Sequence, residues 1–80
     1  MALILIIEDD PDISNLLIDH LSQQGHTAVA VADGAAGLAQ GLSQAVDLVL
    51  LDVMLPKMDG FSVGKKLRAE KPQLPIMFIT

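Results

Sequence analysis

Residues 3–11, with the sequence LILIIEDDP, set the architecture of this chain. The unbroken aliphatic run is typical of a strand that helices cover on both faces, as in parallel sheets. The acidic residues end the strand. Pro11 is best tolerated at the first position of a helix, which makes Asp10 the expected N-cap. The stretch therefore predicts a buried strand that leads directly into a helix.

The rest of the chain continues this alternation. Apolar residues at helical spacing followed by Gly25 predict a first helix over 11–24, with Ile13, Leu16, Leu17 and Leu21 on its apolar stripe. Further strands are predicted over 27–32, 47–52 and 76–80, and further helices over 35–45 and 61–70. The second helix is expected to be weak, because Gly37 and Gly41 each cost about 1 kcal/mol relative to alanine. Asp33 and Asp59 are expected to cap the second and third helices.

Strand order follows from the burial that each segment demands. The first and third strands are continuous apolar runs, whereas the second is short, small and alternating, which suits a sheet edge. Right-handed crossovers then give a parallel sheet of order 2-1-3-4 in a single α/β domain over residues 1–80. Ligand sites in such sheets lie where the winding reverses, beyond the carboxyl ends of the first and third strands.

Composition excludes several classes of function. The chain has 80 residues, a formal net charge of −5 and no cysteine. An acidic surface argues against nucleic-acid or anionic-membrane binding, and the absence of cysteine excludes disulfides, thiolate zinc sites and thiol nucleophiles. The opening apolar run is too short to span a membrane and lacks the basic region of a signal peptide. The default expectation is a small soluble domain in the cytoplasm.

Three carboxylates are expected to converge at the reversal point: Glu8 and Asp9 after the first strand, and Asp52 at the end of the third. Like charges in close proximity require either a proton or a cation, and an all-oxygen ligand set favours Mg²⁺. With that charge compensated, Asp52 can act as a carboxylate nucleophile toward phosphorus. Thr80, at the end of the fourth strand, offers a hydroxyl donor to a phosphoryl oxygen. His20 and His26 are expected to lie far from this mouth and to have no functional role.

Three stretches, IIEDDP (6–11), LLDVMLPKMDG (50–60) and PIMFIT (75–80), resemble the receiver domain of two-component response regulators. The resemblance implies a flavodoxin-like fold and a signalling domain rather than a turnover enzyme. By resemblance, Asp52 is the phosphoacceptor, and the Mg²⁺ ligands are Asp9, Glu8 largely through water, Asp52 and the Met54 backbone carbonyl. It also implies that Thr80 is the switch hydroxyl and that the donor is a phosphohistidine on a sensor histidine kinase.

The family pattern continues beyond this chain through a fourth helix, a fifth strand and a fifth helix. We therefore expect a receiver truncated after its fourth strand, without the strand-five lysine that pairs with the phosphoryl group. An unpaired, apolar fourth strand predicts self-association as a homodimer or a higher oligomer. The alternative to a phosphoacceptor is a switching-defective fragment with a structural role. A haloacid-dehalogenase-like phosphatase is disfavoured, because Met54 stands where that class needs a second acid.

Overall fold

The computed structural model describes residues 2–56 and 58–79, which form four strands and three helices in alternation. The strands are β1 (Leu3–Ile7), β2 (Thr27–Val31), β3 (Leu48–Asp52) and β4 (Ile76–Ile79). The helices are α1 (Pro11–Gln23), α2 (Gly34–Ser43) and α3 (Gly60–Glu70). Every pairing between neighbouring strands is parallel, and the order β2-β1-β3-β4 confirms the predicted sheet.

Register fixes which side chains meet at the carboxyl end of the sheet. β1 pairs with β3 from Ile4 opposite Leu48 to Ile7 opposite Leu51. Residues 8 and 52, which follow these last partners, therefore leave the two central strands at the same level. Both strands are buried over four of their five residues, whereas β2 is only partly covered, as an edge position requires.

Helices cover the two faces of the sheet unequally. On one face, α2 and α3 pack against inward-facing residues of β1 and β3 in the larger core cluster, whose buried members are Leu5, Ile7, Val46, Val49, Leu51, Val63, Leu67 and Leu74. On the other face, α1 packs against a smaller cluster with three buried residues, Ile4, Ile6 and Leu50. Most of the tightly packed interior therefore lies between the sheet and the α2–α3 layer.

The buried stripe of α1 differs from the predicted one. Ser14 is its buried residue, and Leu17, Ile18 and Leu21 are the apolar side chains packed against the sheet. Ile13 and Leu16 were predicted to face the core, but they are 42% and 70% exposed. That part of the prediction is wrong, because two overlapping apolar stripes run along this helix and only contact with the sheet selects between them.

Glycines let α2 approach its neighbours closely. A Cβ on Gly37 would lie 2.5 Å from the Ile7 side chain, and one on Gly41 would lie 2.6 Å from the Leu67 side chain. The two glycines that lower the helix propensity of α2 are therefore also positions at which side chains of β1 and α3 approach this helix closely. The helix spans Gly34–Ser43 rather than 35–45.

Aspartates cap all three helices that the structure describes. The carboxylates of Asp10, Asp33 and Asp59 accept hydrogen bonds from the backbone N–H groups of residues 12, 36 and 62 at 2.8–2.9 Å. Gly25 follows α1 with a φ of 87°, which confirms the predicted left-handed stop. Among the described residues, none of the helices has the length and apolar character needed to cross a membrane.

Candidate carboxylate site

Three carboxylates meet at the carboxyl ends of β1 and β3. Glu8, Asp9 and Asp52 each offer an oxygen, and these oxygens all lie within 4.8 Å of one another. Glu8 and Asp52 are only 5% and 7% exposed, whereas Asp9 is exposed to solvent. The predicted cluster therefore forms, with two buried carboxylates and one that is exposed to solvent.

Burial and mutual repulsion act together on Glu8. Burial is the largest influence and raises the pKa of Glu8 above its ordinary value. A hydrogen bond from the Asp10 N–H to Glu8 Oε2, 3.1 Å long, opposes that rise by favouring the ionised form. The neighbouring Asp52 carboxylate raises the pKa further, through both hydrogen bonding and charge. Among the described residues, the Asp10 N–H is thus the group that lowers the pKa of Glu8, and it is outweighed by influences that raise it.

Backbone amides orient two of the carboxylates. The N–H of Met54 donates to Asp52 Oδ1 at 3.0 Å, and the N–H of Asp10 donates to Glu8 Oε2. Each donor lies two residues after its acceptor, which is the spacing by which aspartate and related side chains organise tight turns. The sequence analysis did not predict either hydrogen bond, although the two-residue spacing between acceptor and donor is local in the sequence.

The loop after β3 returns to the strand end at the start of α3. Gly60 N–H donates to the Val53 carbonyl at 2.9 Å. A Cβ at Gly60 would collide with the Asp52 carbonyl and would lie 2.6 Å from Val53 Cα. The close approach that only glycine permits here holds the Asp52 loop against the N-terminus of α3.

The other predicted site residues have different placements. The Met54 side chain is 79% exposed, and its backbone carbonyl remains a predicted ligand. Thr80 lies outside the described residues. Asp10 caps α1, as expected. His26 Nδ1 accepts a hydrogen bond from the Ala2 N–H at 3.1 Å, at the amino end of the sheet.

Charge is segregated along the sequence. None of the five basic residues precedes Lys57, whereas eight of the ten acidic residues do. The carboxylate site is thus built from a stretch of chain that supplies no lysine or arginine. A hard divalent cation with oxygen ligands fits this donor set, because it supplies the positive charge that residues 2–56 lack.

Comparison with known proteins agrees with this geometry. The chain is 40% identical over 77 residues to the transcriptional regulatory protein RprY of Bacteroides fragilis, covering 96% of this chain and 33% of RprY. It is 39% identical over 77 residues to the alkaline phosphatase synthesis transcriptional regulatory protein PhoP of Bacillus subtilis, covering 96% of this chain and 32% of PhoP. The chain thus spans about a third of the length of these curated relatives.

Solved structures share the same architecture. The receiver domain of sensor histidine kinase PA1611 from Pseudomonas aeruginosa, which has a magnesium ion in its active site cleft, matches with a TM-score of 0.93 and 31% identity, over 99% of this chain and 66% of that one. The response regulator TrrA of Thermotoga maritima, in complex with Mg²⁺ and BeF, matches with a TM-score of 0.92 and 32% identity, over 95% of this chain and 66% of that one. The structure of histidine kinase ThkA with TrrA matches with a TM-score of 0.94 and 31% identity, over 100% of this chain and 69% of that one.

The family model described as the response regulator receiver domain matches residues 4–80, which is nearly the whole chain. The parallel sheet and the site at its central strand ends agree with that match. The chain therefore belongs to the family of response regulator receiver domains.

Proposed function

We propose that this chain accepts a phosphoryl group on Asp52 in a Mg²⁺-dependent step of two-component signalling. The observation that carries the proposal is the convergence of Glu8, Asp9 and Asp52 within 4.8 Å at the reversal point of the sheet. Asp52 is the nucleophile because it ends a central strand and its carboxylate is oriented by the Met54 amide. Thr80 is proposed as the hydroxyl donor to the phosphoryl group.

The proposed metal ligands are Asp9, Glu8 largely through water, Asp52 and the Met54 backbone carbonyl. When bound, Mg²⁺ compensates the clustered negative charge and polarises the phosphoryl group. The Asp52 carboxylate oxygen forms a bond to phosphorus as the phosphorus–nitrogen bond of the donor breaks, and the leaving imidazole nitrogen keeps the electron pair. The chain thus acts as a phosphoacceptor in a single transfer.

A sensor histidine kinase is the proposed phosphodonor. Support comes from the structure of the histidine kinase ThkA with the response regulator TrrA, in which this chain's fold is matched over its full length. The proposal keeps the cytoplasmic location expected from the sequence. We expect any output function to belong to the parts of the relatives that this chain does not span.

Beryllofluoride with Mg²⁺ tests the site directly, because it mimics a phosphoryl group on the aspartate. We expect Mg²⁺ alone to shift the resonances of residues 8, 9 and 52, and beryllofluoride to produce a further response there only when Mg²⁺ is present. Asp52→Asn should abolish the response, whereas Glu70→Gln, which removes an exposed charge at the end of α3, should leave it intact. A response that survives Asp52→Asn would refute the assignment. Mass addition from acetyl phosphate gives a covalent readout of the same prediction.

The open edge of β4 supports a second proposal, self-association of the chain as a homodimer. Val49 and Val53 donate to the carbonyls of Pro75 and Ile79, so the backbone groups of Ile76 and Phe78 point away from β3. Within the described residues, β4 is the last strand on that side of the sheet. This edge favours the alternative of a structural, self-associating fragment as well. Sedimentation at high micromolar concentration tests it, and a strictly monomeric species would contradict it.

A further inference from the structure

The N-terminus of α2 reaches the loop that follows β3. Helices that connect parallel strands run back along the sheet, so α2 and α3 both begin at its carboxyl end, where the carboxylates meet. Gly34 is the first residue of α2 and is buried. A Cβ at Gly34 would lie 2.9 Å from Val63 Cγ2 and 3.2 Å from Met58 Cβ. The backbone of α2 therefore approaches both α3 and the loop too closely for a side chain to fit between them.

The two neighbours of Gly34 are held firmly. Val63 is fully buried and β-branched, so its χ1 rotamer is restricted. Met58 Cβ is bonded directly to the backbone, so it moves only when the loop moves, and the Met58 side chain packs against the larger core cluster. A methyl group added at Gly34 would therefore displace the loop or the helix, because neither contact can be relieved by rotating the end of a long side chain.

A displacement at Met58 reaches the carboxylate site within a few residues. Gly60 follows Met58 by two positions, and its N–H donates to the Val53 carbonyl at 2.9 Å. Met54 comes directly after Val53, and its N–H donates to Asp52 Oδ1 at 3.0 Å. These hydrogen bonds form a continuous path from the contact at α2 to the proposed nucleophile and to the proposed carbonyl ligand.

We propose that Gly34 is a positioning residue for the carboxylate site. By admitting Met58 against α2, Gly34 fixes the loop that carries the Met54 carbonyl, and it acts through this loop rather than by touching the metal. The proposal rests on the proposed function, in which that carbonyl is a Mg²⁺ ligand. Mg²⁺ requires nearly ideal octahedral geometry, so its affinity is sensitive to a small displacement of one ligand.

The other two buried glycines of α2 have different neighbours. A Cβ at Gly37 would meet the Ile7 side chain, and one at Gly41 would lie 2.6 Å from Leu67 Cδ2. Of the three, Gly34 is the one that approaches the loop after β3. Gly41 lies seven residues later, which places it about 10 Å farther along the helix. The same substitution at Gly41 is therefore a matched control for crowding of α2 away from the site.

The proposal is tested by comparing Gly34→Ala with Gly41→Ala. Each adds one methyl group to a buried face of α2, and both should lower the urea midpoint of unfolding because both overpack the interior. Titration of the folded proteins with Mg²⁺ alone, followed by NMR, should show binding weakened about tenfold in Gly34→Ala. Gly41→Ala should change the affinity by less than about twofold, because its contact is distant from the site.

A second readout needs no metal. The amide chemical shifts of residues 52–54 and 60, recorded without Mg²⁺, should differ between Gly34→Ala and the unmodified chain. The same shifts should be nearly unchanged in Gly41→Ala. A loss of stability alone would not move these resonances in the folded protein, so this comparison separates positioning of the loop from general destabilisation.

A double variant keeps the test informative if Gly34→Ala does not fold. Val63→Ala removes Cγ2, the nearer of the two atoms that the new methyl group would meet, and leaves Met58 Cβ in place. The double variant Gly34→Ala/Val63→Ala should therefore fold, because the added methyl group occupies vacated volume. It should still bind Mg²⁺ more weakly than Val63→Ala alone, and circular dichroism verifies that both are folded.

The outcomes separate this proposal from the proposed function. Mg²⁺ affinity that is unchanged in Gly34→Ala, or weakened equally in Gly34→Ala and Gly41→Ala, would overturn the role of Gly34 and leave the carboxylate site intact. Absence of Mg²⁺ binding by the unmodified chain would overturn the proposed function and this role together. Phosphoryl acceptance on Asp52 is measured independently with beryllofluoride and acetyl phosphate.

Discussion

The two ends of the sheet use similar polar residues for opposite purposes. At the amino end, Asp47 Oδ2 accepts from the Leu3 N–H at 2.8 Å, while the Asp47 N–H donates to the Leu3 carbonyl at 2.8 Å. His26 likewise accepts from the Ala2 N–H. At the carboxyl end, Glu8, Asp9 and Asp52 face one another. At the amino end, polar side chains hold the strands in place by accepting hydrogen bonds from the backbone. At the carboxyl end, three groups of like charge lie close together.

The contrast between the two ends shows that the carboxylate cluster lowers the stability of the fold. A carboxylate that accepts a backbone donor stabilises the fold, whereas clustered carboxylates repel one another and favour a bound proton or cation. Among the described residues, the cluster of carboxylates that a cation would stabilise lies at the carboxyl end. Substituting equivalent groups at the two ends therefore separates structural carboxylates from functional ones.

The largest effect is expected from comparing the Mg²⁺ affinities of two variants. Each variant loses one carboxylate charge, one at each end of the sheet. Asp52→Asn should weaken Mg²⁺ binding by at least about tenfold, because losing a metal ligand costs no less than losing a group that supports one. Asp47→Asn removes the same charge at the other end of β3 and should leave Mg²⁺ affinity nearly unchanged. Calorimetric titration, or the rise of Tm with Mg²⁺, measures both. Equal losses in the two variants would show that general charge, not a site, binds the ion.

A smaller effect is expected from removing the acceptor at the amino end. Asp47→Ala leaves the Leu3 N–H without its side-chain partner and should lower the free energy of unfolding by about 1 kcal/mol. Asp47→Asn, which retains an amide oxygen, should lose less. Urea unfolding gives the comparison, and an unchanged midpoint for Asp47→Ala would remove the structural role assigned to this carboxylate.

The smallest effect concerns the pH dependence set by Glu8. The folded protein raises the pKa of Glu8 above its ordinary value of 4.5, so it binds the proton more tightly than the unfolded chain does. The contribution of Glu8 to stability is therefore greatest below pH 4.5 and falls as the pH rises through the folded-state pKa. Glu8→Gln should remove this fall, which thermal unfolding at pH 4 and pH 7 without divalent ions measures. The same pH dependence in both proteins would contradict the assignment.

The sheet and its site could be predicted because local signals there agree with tertiary demands. Continuous aliphatic runs that end in acids predicted β1, β3 and the meeting of Glu8 with Asp52, since parallel strands align their carboxyl ends. Capping by Asp10, Asp33 and Asp59 was equally visible, because the hydrogen bond that defines a cap is local.

Features that depend on contacts distant in sequence were not predictable. The sequence does not show whether Ser14 or Leu16 faces the sheet. Each lies on one of two overlapping stripes along α1, and packing against the sheet decides which stripe is buried. Gly37 was interpreted as a position that weakens α2, whereas its lack of a side chain allows α2 to approach Ile7.

One local feature was also missed. The sequence analysis considered the backbone carbonyl of Met54 but not its N–H, although the turn that directs this N–H to Asp52 is local.

The separation of acidic and basic residues along the chain has a consequence for the order of events at Asp52. Residues 2–56, which supply all three carboxylates of the site, contain no lysine or arginine, so the electric field of these residues repels anions. Under the proposed function, the phosphorylated donor is itself an anion, so we expect a cation at the site to ease its approach. If Asp52 is phosphorylated as proposed, the distribution of ionisable residues therefore favours binding of the cation before the donor.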